Sequence, residues 1–337
     1  MTFLFSPVRF RDMSPRLVSF RLPPVPSSMF SVILGLSGLG QSWRVAERLW
    51  GISAHVGEDI LVVATAIWAS LLCAYIVHAI RRPDLMRAEF KHPVAGGTPA
   101  LAGIATFLIS QAVTIWSTSW AWGLLIAGIC WQLAFSAWHT GTLWRGERRA
   151  EDTTPTLYLP TVAGSFTSAA AFGALNQPSW AWLLLGTGVF SWLALEPPII
   201  QRLWSGHSLP IAQRSLLGIQ FAPPVVCGAA ILVVAPGTPP EWLLMLLGYG
   251  LFQTLVGLRL KSWLKEQPFG YAWWAFSFGV VSGTVVCLKL AVRGVPSAIS
   301  LSWPVFIGAN LFIGYLSVRT VWLVARATIV REHRSVV

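Results

Sequence analysis

The chain has 337 residues, of which 55% are hydrophobic and only 11% charged, with 24 basic against 13 acidic side chains and a formal net charge of +11. A soluble domain carries roughly 25% charged residues, so this composition excludes an ordinary soluble fold. The basic excess does not imply a nucleic-acid partner, because the charges gather at the edges of apolar stretches, where anionic lipid attracts them. Cys73, Cys130, Cys227 and Cys287 all lie inside apolar stretches without a CxxC spacing. That pattern argues against a disulfide framework or a zinc site.

Residues 1–27 hold Arg9, Arg11, Arg16 and Arg21 among several Ser and Pro. They lack the apolar core of a secretory signal and are expected to form a cytoplasmic tail, with an Arg-rich transit peptide as the alternative. Ten apolar stretches follow near 28–46, 60–80, 95–115, 120–140, 156–176, 180–200, 215–235, 241–263, 270–289 and 303–325. Each is about 20 residues long, enough to cross a hydrocarbon core of roughly 30 Å. The expected fold is an all-α membrane protein of ten transmembrane helices, one domain over 28–327, with a short tail at 328–337.

Lys and Arg sort to one side of these stretches. When the linkers are assigned alternately, Arg44, Arg48, Lys289 and Arg293 fall on one side and the rest of the 24 basic residues on the other. Basic residues stay cytoplasmic on insertion. Both termini and the loops at 81–93, 145–155, 202–214 and 259–268 are therefore expected in the cytoplasm, with the chain in the inner (plasma) membrane.

The odd stretches begin at a spacing of roughly 60 residues, which reads as five hairpins inserted the same way. The two helix classes differ: the even stretches hold 12 Trp and the odd ones 3. The odd stretches carry small residues at helical spacing instead. Ser31, Gly35 and Gly38 share a face; so do Gly96, Ala100, Gly103 and Thr106, then Pro160, Gly164, Ser168 and Ala171, and finally Gly279 with Gly283, beside Ser282. Trp suits the lipid interface, and small residues allow close helix approach or leave space. Any one stripe reads equally as a packing seam. Together they suggest a quasi-fivefold inner ring of odd helices around a narrow pore, enclosed by an outer ring of even ones.

Ionisable groups at depth, needed for proton coupling or catalysis, are nearly absent. Glu196 is the one acid well inside a stretch, near the end of the sixth and close to Arg202. A pair with Arg202 is the expectation, and a coupling role the alternative. His78 and His139 fall at helix ends. No HExxH, paired carboxylates, Ser/His/Asp signature or phosphate-binding loop occurs, so no enzyme activity, cofactor or metal is expected. Passive permeation fits better, and the basic excess favours anions.

Three blocks carry a family resemblance. They are Pro26–Arg44 at the opening, Leu217–Pro224 in the seventh stretch and Tyr271–Gly279 (YAWWAFSFG) in the ninth. They resemble the tellurite-resistance/dicarboxylate transporter family, which takes in the TehA-like bacterial and plant slow anion channels. The resemblance covers about 23–327. It implies five hairpins around a pore made by the odd helices, commonly a homotrimer, with a Phe of the ninth helix blocking the pore. The matching residue is Phe278, about eight residues or roughly 12 Å into its helix, near the bilayer midplane. One departure is Phe30-Ser31 where the family has Phe-Gly, adding bulk and polarity to that small-residue face. The function so implied is an anion channel or channel-like exporter for small inorganic or organic anions. A proton-coupled C4-dicarboxylate carrier is the alternative.

Overall fold

The computed structural model describes residues 25–53, 55–146 and 148–335. Most of the expected amino-terminal tail, over 1–24, lies outside the described residues. Among the described residues there are helices and turns and no strand. In chain order the α-helices are α1 (Ser31–Trp50), α2 (His55–Arg81), α3 (Pro83–Lys91), α4 (Ala100–Val113), α5 (Thr118–Trp144), α6 (Gly164–Ala174) and α7 (Pro178–Ser205). They continue with α8 (Leu217–Gln220), α9 (Pro223–Val234), α10 (Pro240–Arg259), α11 (Lys261–Leu264), α12 (Ser277–Val292) and α13 (Pro296–Ser335).

Eight helical segments are long and apolar enough to cross a membrane. In the places of the expected first and fifth spans stand α1, which carries Arg44, Glu47 and Arg48, and α6, whose regular part is only 11 residues long. Two boundaries differ from the sequence expectation. The linker at 81–93 folds into α3, opened by Pro83 at its first turn. The last helix begins at Pro296 and runs through the expected tail to Ser335.

Packing separates the helices into two classes. α1 packs on α4 and α12, α4 on α6, α6 on α9, and α9 on α12, so these contacts return to their starting point. Each of α2, α5, α7, α10 and α13 packs on the ring member before it in the chain. Burial follows: 83% of the apolar window of Ala95–Val113 is buried, against 17% for His55–Arg81 and Pro178–Ser205. Between the layers, inner side chains enter glycine notches of the outer helices. A Cβ at Gly128 would stand 2.8 Å from the Phe107 ring, and one at Gly188 2.6 Å from Phe166. Lipid tails are as apolar as Leu, so close van der Waals packing of this kind is what holds such helices together.

The ring members share a second property: each begins irregularly. Short 3-10 turns over Ser27–Phe30, Ala95–Gly97 and Tyr271–Phe276 precede α1, α4 and α12. A π turn over Leu159–Ala163 leads into α6, and the chain bends at Phe221–Ala222 before α9. Pro99, Pro160, Pro223 and Pro224 sit at three of these starts, and proline removes an intrahelical donor. Carbonyls within these irregular starts are satisfied from the outer layer. Gln132 Nε2 and Ser136 Oγ each donate to the Pro160 carbonyl at 2.6 Å, and Trp131 Nε1 donates to that of Pro99 at 3.1 Å. At the first start, the Ser27 amide and hydroxyl donate to Glu89 of α3 at 2.8 and 2.7 Å. Non-helical backbone survives at membrane depth only with such protein partners or beside a cavity.

Candidate functional site

Helical periodicity decides which side chains face the space inside the ring. In α12, Phe278, Ser282, Val285 and Lys289 recur at intervals of four, three and four residues and form one stripe. The flanks of that stripe are locked by small residues. Gly35 of α1 meets Ser277, where an added Cβ would stand 2.8 Å from the Ser277 side chain, and Gly38 meets Val281. On the other flank, a Cβ at Gly279 would lie 3.3 Å from the Phe221 carbonyl, and one at Gly283 3.4 Å from Val225. With both flanks in close contact, Phe278 is left pointing inward.

Two cavities occupy the ring interior, each lined by all five ring segments. The smaller, about 70 Å³, is enclosed by apolar side chains together with Ser28, Ser31, Thr98 and Tyr158. The larger, about 270 Å³, carries Gln41, Arg44, Arg48, Gln111 and Lys289. Phe278, Phe166 and Val226 are common to both linings and separate the two spaces. Of these, Phe278 heads the inward stripe, while the Phe166 ring also packs on Gly188.

The sequence-predicted residues divide between cavity and seam. Ser31 lines the smaller cavity, and Gly38 and Ser282 the larger. Gly35 and Gly279 lie in the α1–α12 and α9–α12 contacts just described. Gly103 and Gly164 both face Gln132 of α5. Thr106 accepts from Trp68 Nε1 at 3.1 Å, and the Ser168 hydroxyl donates to the Ser165 carbonyl at 3.0 Å. None of these last six is among the lining residues of either cavity. The physical reason is that a small residue serves a seam and an open space equally well, so its size alone does not choose between them.

Glu196 requires a correction. It does not pair with Arg202. The carboxylate accepts from Tyr158 Oη and Trp192 Nε1 at 2.6 Å each, and from Gln220 Nε2 and Tyr249 Oη at 3.1 Å each. Arg202 donates instead to the carbonyls of His207, at 2.7 Å, and Glu151, at 3.4 Å. Six residues apart on a helix are not neighbours, whereas Trp192 at the i−4 position is. Glu196 therefore lies outside the ring interior and ties α7 to the ring, one hydrogen bond away from the smaller cavity through Tyr158.

The larger cavity holds residues the sequence reading did not single out as a site. Arg44 is neutralised by Glu58 of α2 through a two-pronged pair at 2.6 and 2.9 Å, with a third bond to the Ala112 carbonyl at 3.2 Å. Lys289 ends the Phe278 stripe. Arg48 ends a stripe in α1 that runs from Ser31 through Leu34, Gly38, Gln41 and Val45. The available signal was that Arg44, Arg48 and Lys289 are among the four exceptions to the charge asymmetry.

A family described as voltage-dependent anion channel matches residues 24–328. The tellurite resistance protein TehA homolog of Haemophilus influenzae is 31% identical over 300 residues, covering 89% of this chain and 90% of that protein. An uncharacterized transporter of Methanocaldococcus jannaschii is 22% identical over 283 residues, covering 75% of this chain and 80% of that protein.

Proposed function

Because the chain belongs to the voltage-dependent anion channel family, we propose that it passes small anions across a membrane along the axis of its ring, with the Phe278 side chain as an apolar plug. The observation that carries this reading is that Phe278 belongs to the walls of both axial cavities and heads the inward stripe of α12. A narrow apolar constriction excludes an ion that cannot recover its hydration energy there, and the space dewets. Displacing one ring would join the two cavities, with no cofactor and no chemical step.

The remaining parts of the reading follow from it. Ten spans form five hairpins, with both termini and the smaller cavity on the cytoplasmic side and the larger cavity outside, in the orientation the basic residues favour. The assembly is a homotrimer, as the sequence resemblance implies, in the inner (plasma) membrane. Tellurite, named in the description of the H. influenzae relative, joins chloride and nitrate as an anion to test. Anion-replacement recording on the purified protein in bilayers is the decisive experiment. Reversal potentials that follow the anion gradient support the reading, and potentials that follow the cation or proton gradient overturn it. Impermeant-reagent labelling of cysteines introduced at Ser119 and Arg149 tests the orientation, with Ser119 alone expected to react from outside.

A proton-coupled C4-dicarboxylate carrier is the second reading, favoured by one observation. Tyr158 lines the smaller cavity while bonded to Glu196, which would connect a titratable carboxylate to the pathway. Uptake driven by a pH gradient in the parent, and lost in Glu196→Gln, would establish it.

A further inference from the structure

Four basic residues break the charge asymmetry of this chain, and three of them, Arg44, Arg48 and Lys289, come together in the wall of the larger cavity. Their states differ. Arg44 is neutralised by Glu58. Neither Lys289 nor Arg48 has a carboxylate within ion-pair distance among the described residues, and no Asp or Glu lines that cavity. Arg293, the fourth exception, is turned away and donates to the carbonyls of Pro236 and Thr238 at 2.7 and 3.1 Å.

Arg48 is exposed and Lys289 half-buried, and two like charges facing one space repel each other unless a counter-charge joins them. The protein supplies none there. We propose that Lys289 and Arg48 form an anion-binding site in the larger cavity, which holds a small inorganic anion with part of its hydration shell before it reaches Phe278. The volume fits this: about 270 Å³ exceeds a bare ion, since each liquid water takes about 30 Å³. Gln41, in the same wall, offers an amide donor to a partly hydrated ion, whereas the Gln111 amide donates to the Phe107 and Thr167 carbonyls. Lys289 lies eleven residues beyond Phe278 on one helical stripe, about 16 Å at 1.5 Å per residue. The site is thus set back from the constriction, where an anion can be concentrated without being trapped in it.

This assignment rests on the anion-channel reading, and the test separates the two with an equilibrium arm and a conduction arm. In the first, thermal unfolding of purified full-length protein in detergent is followed as sodium nitrate or sodium chloride is added. A ligand bound only by the folded state raises the midpoint. The parent should gain stability with nitrate at constant ionic strength set by sodium gluconate, Lys289→Gln and Arg48→Gln should lose most of that gain, and Lys289→Arg should keep it. In the second arm, bilayer conductance is measured in the Phe278→Ala background as chloride on the Lys289 side rises from about 10 mM to about 1 M, shortening the screening length from about 30 Å to about 3 Å. Lys289→Gln should lower conductance severalfold at the low end and converge with its parent at the high end. Equal nitrate stabilisation in the parent and both Gln variants overturns the site. So does unchanged low-chloride conductance in a Phe278→Ala protein that conducts. Absence of anion conductance with nitrate stabilisation still dependent on Lys289 overturns the channel reading and leaves the site standing.

Discussion

The segments Tyr271–Val292 and Pro178–Ser205 are almost equally apolar, with mean hydropathies of 1.8 and 1.5, yet 67% of one window and 17% of the other is buried. What differs is side-chain size and its placement. Tyr271–Val292 presents Ser277, Gly279 and Gly283 to neighbouring ring segments and keeps its larger residues on chosen faces. Pro178–Ser205 exposes Trp180, Trp182, Leu183, Phe190 and Leu193, and its contacts to the ring include a glycine notch at Gly188 and the Glu196 cluster. Hydropathy brings a segment into the membrane; the arrangement of small residues decides whether its neighbours there are protein or lipid.

The comparison breaks most sharply at Phe278, the one aromatic residue of α12, which faces the space inside the ring. Phe278→Ala should raise anion conductance at least about tenfold, equivalent to removing 1.4 kcal/mol or more from the barrier, without changing the preference for anions over cations. Phe278→Leu should open the path only partly, since its branched side chain still occupies the axis. The same substitution sharpens the stability side. A packed core Phe→Ala costs about 3–5 kcal/mol, and a ring that mainly fills the axis should cost less. Unfolding of the Ala variant, or conductance equal to the parent, would make Phe278 a packing residue.

Next in size is a contrast between two glycines. Gly38 lies directly against Val281 in the α1–α12 seam, whereas Gly248 of α10 has nothing within 4 Å of an added Cβ. Gly38→Leu should destabilise the protein by about 1–3 kcal/mol or more through overpacking. Gly248→Leu should be neutral or slightly stabilising, because glycine costs a helix interior about 0.8–1.0 kcal/mol relative to Ala. Midpoints of thermal unfolding in detergent compare them directly. Equal losses would mean that the inner and outer layers are not distinguished by close packing.

The smallest effect concerns the polar tie of the outer layer. Glu196→Gln keeps an acceptor but loses the charge that strengthens bonds from Tyr158, Trp192, Gln220 and Tyr249. A loss of about 1–2 kcal/mol is expected, within the range for hydrogen bonds to charged groups. Transport should remain independent of an imposed pH gradient. A pH-gradient dependence that disappears with the carboxyl group would shift the mechanism towards the carrier.

The all-helical class, the family and eight of the ten expected apolar stretches as membrane-length helices were legible in the sequence because each depends on local information. Hydropathy over about 20 residues, the side on which Lys and Arg fall, and the Tyr271–Gly279 block need no knowledge of neighbours. The irregular starts of the ring members were only half visible: Pro99, Pro160 and Pro223 mark them, but the Gln132, Ser136 and Trp131 donors that make them tolerable come from another helix.

By itself, then, the sequence determined that this chain is helical and apolar, since periodicity and composition act along the chain, and the block at Tyr271–Gly279 carried its resemblance to an anion-channel family. Tertiary structure alone decided which small residue lines space and which is closed into packing, because Ser31 and Ser282 differ from Ser168 only in what stands opposite them. It also decided the partner of Glu196, which rotation around the helix turns away from Arg202. And it gathered Arg48 and Lys289, some 240 residues apart in the chain, into one cavity wall. Electrostatics acts through space, so their proximity emerges only once α1 and α12 lie side by side.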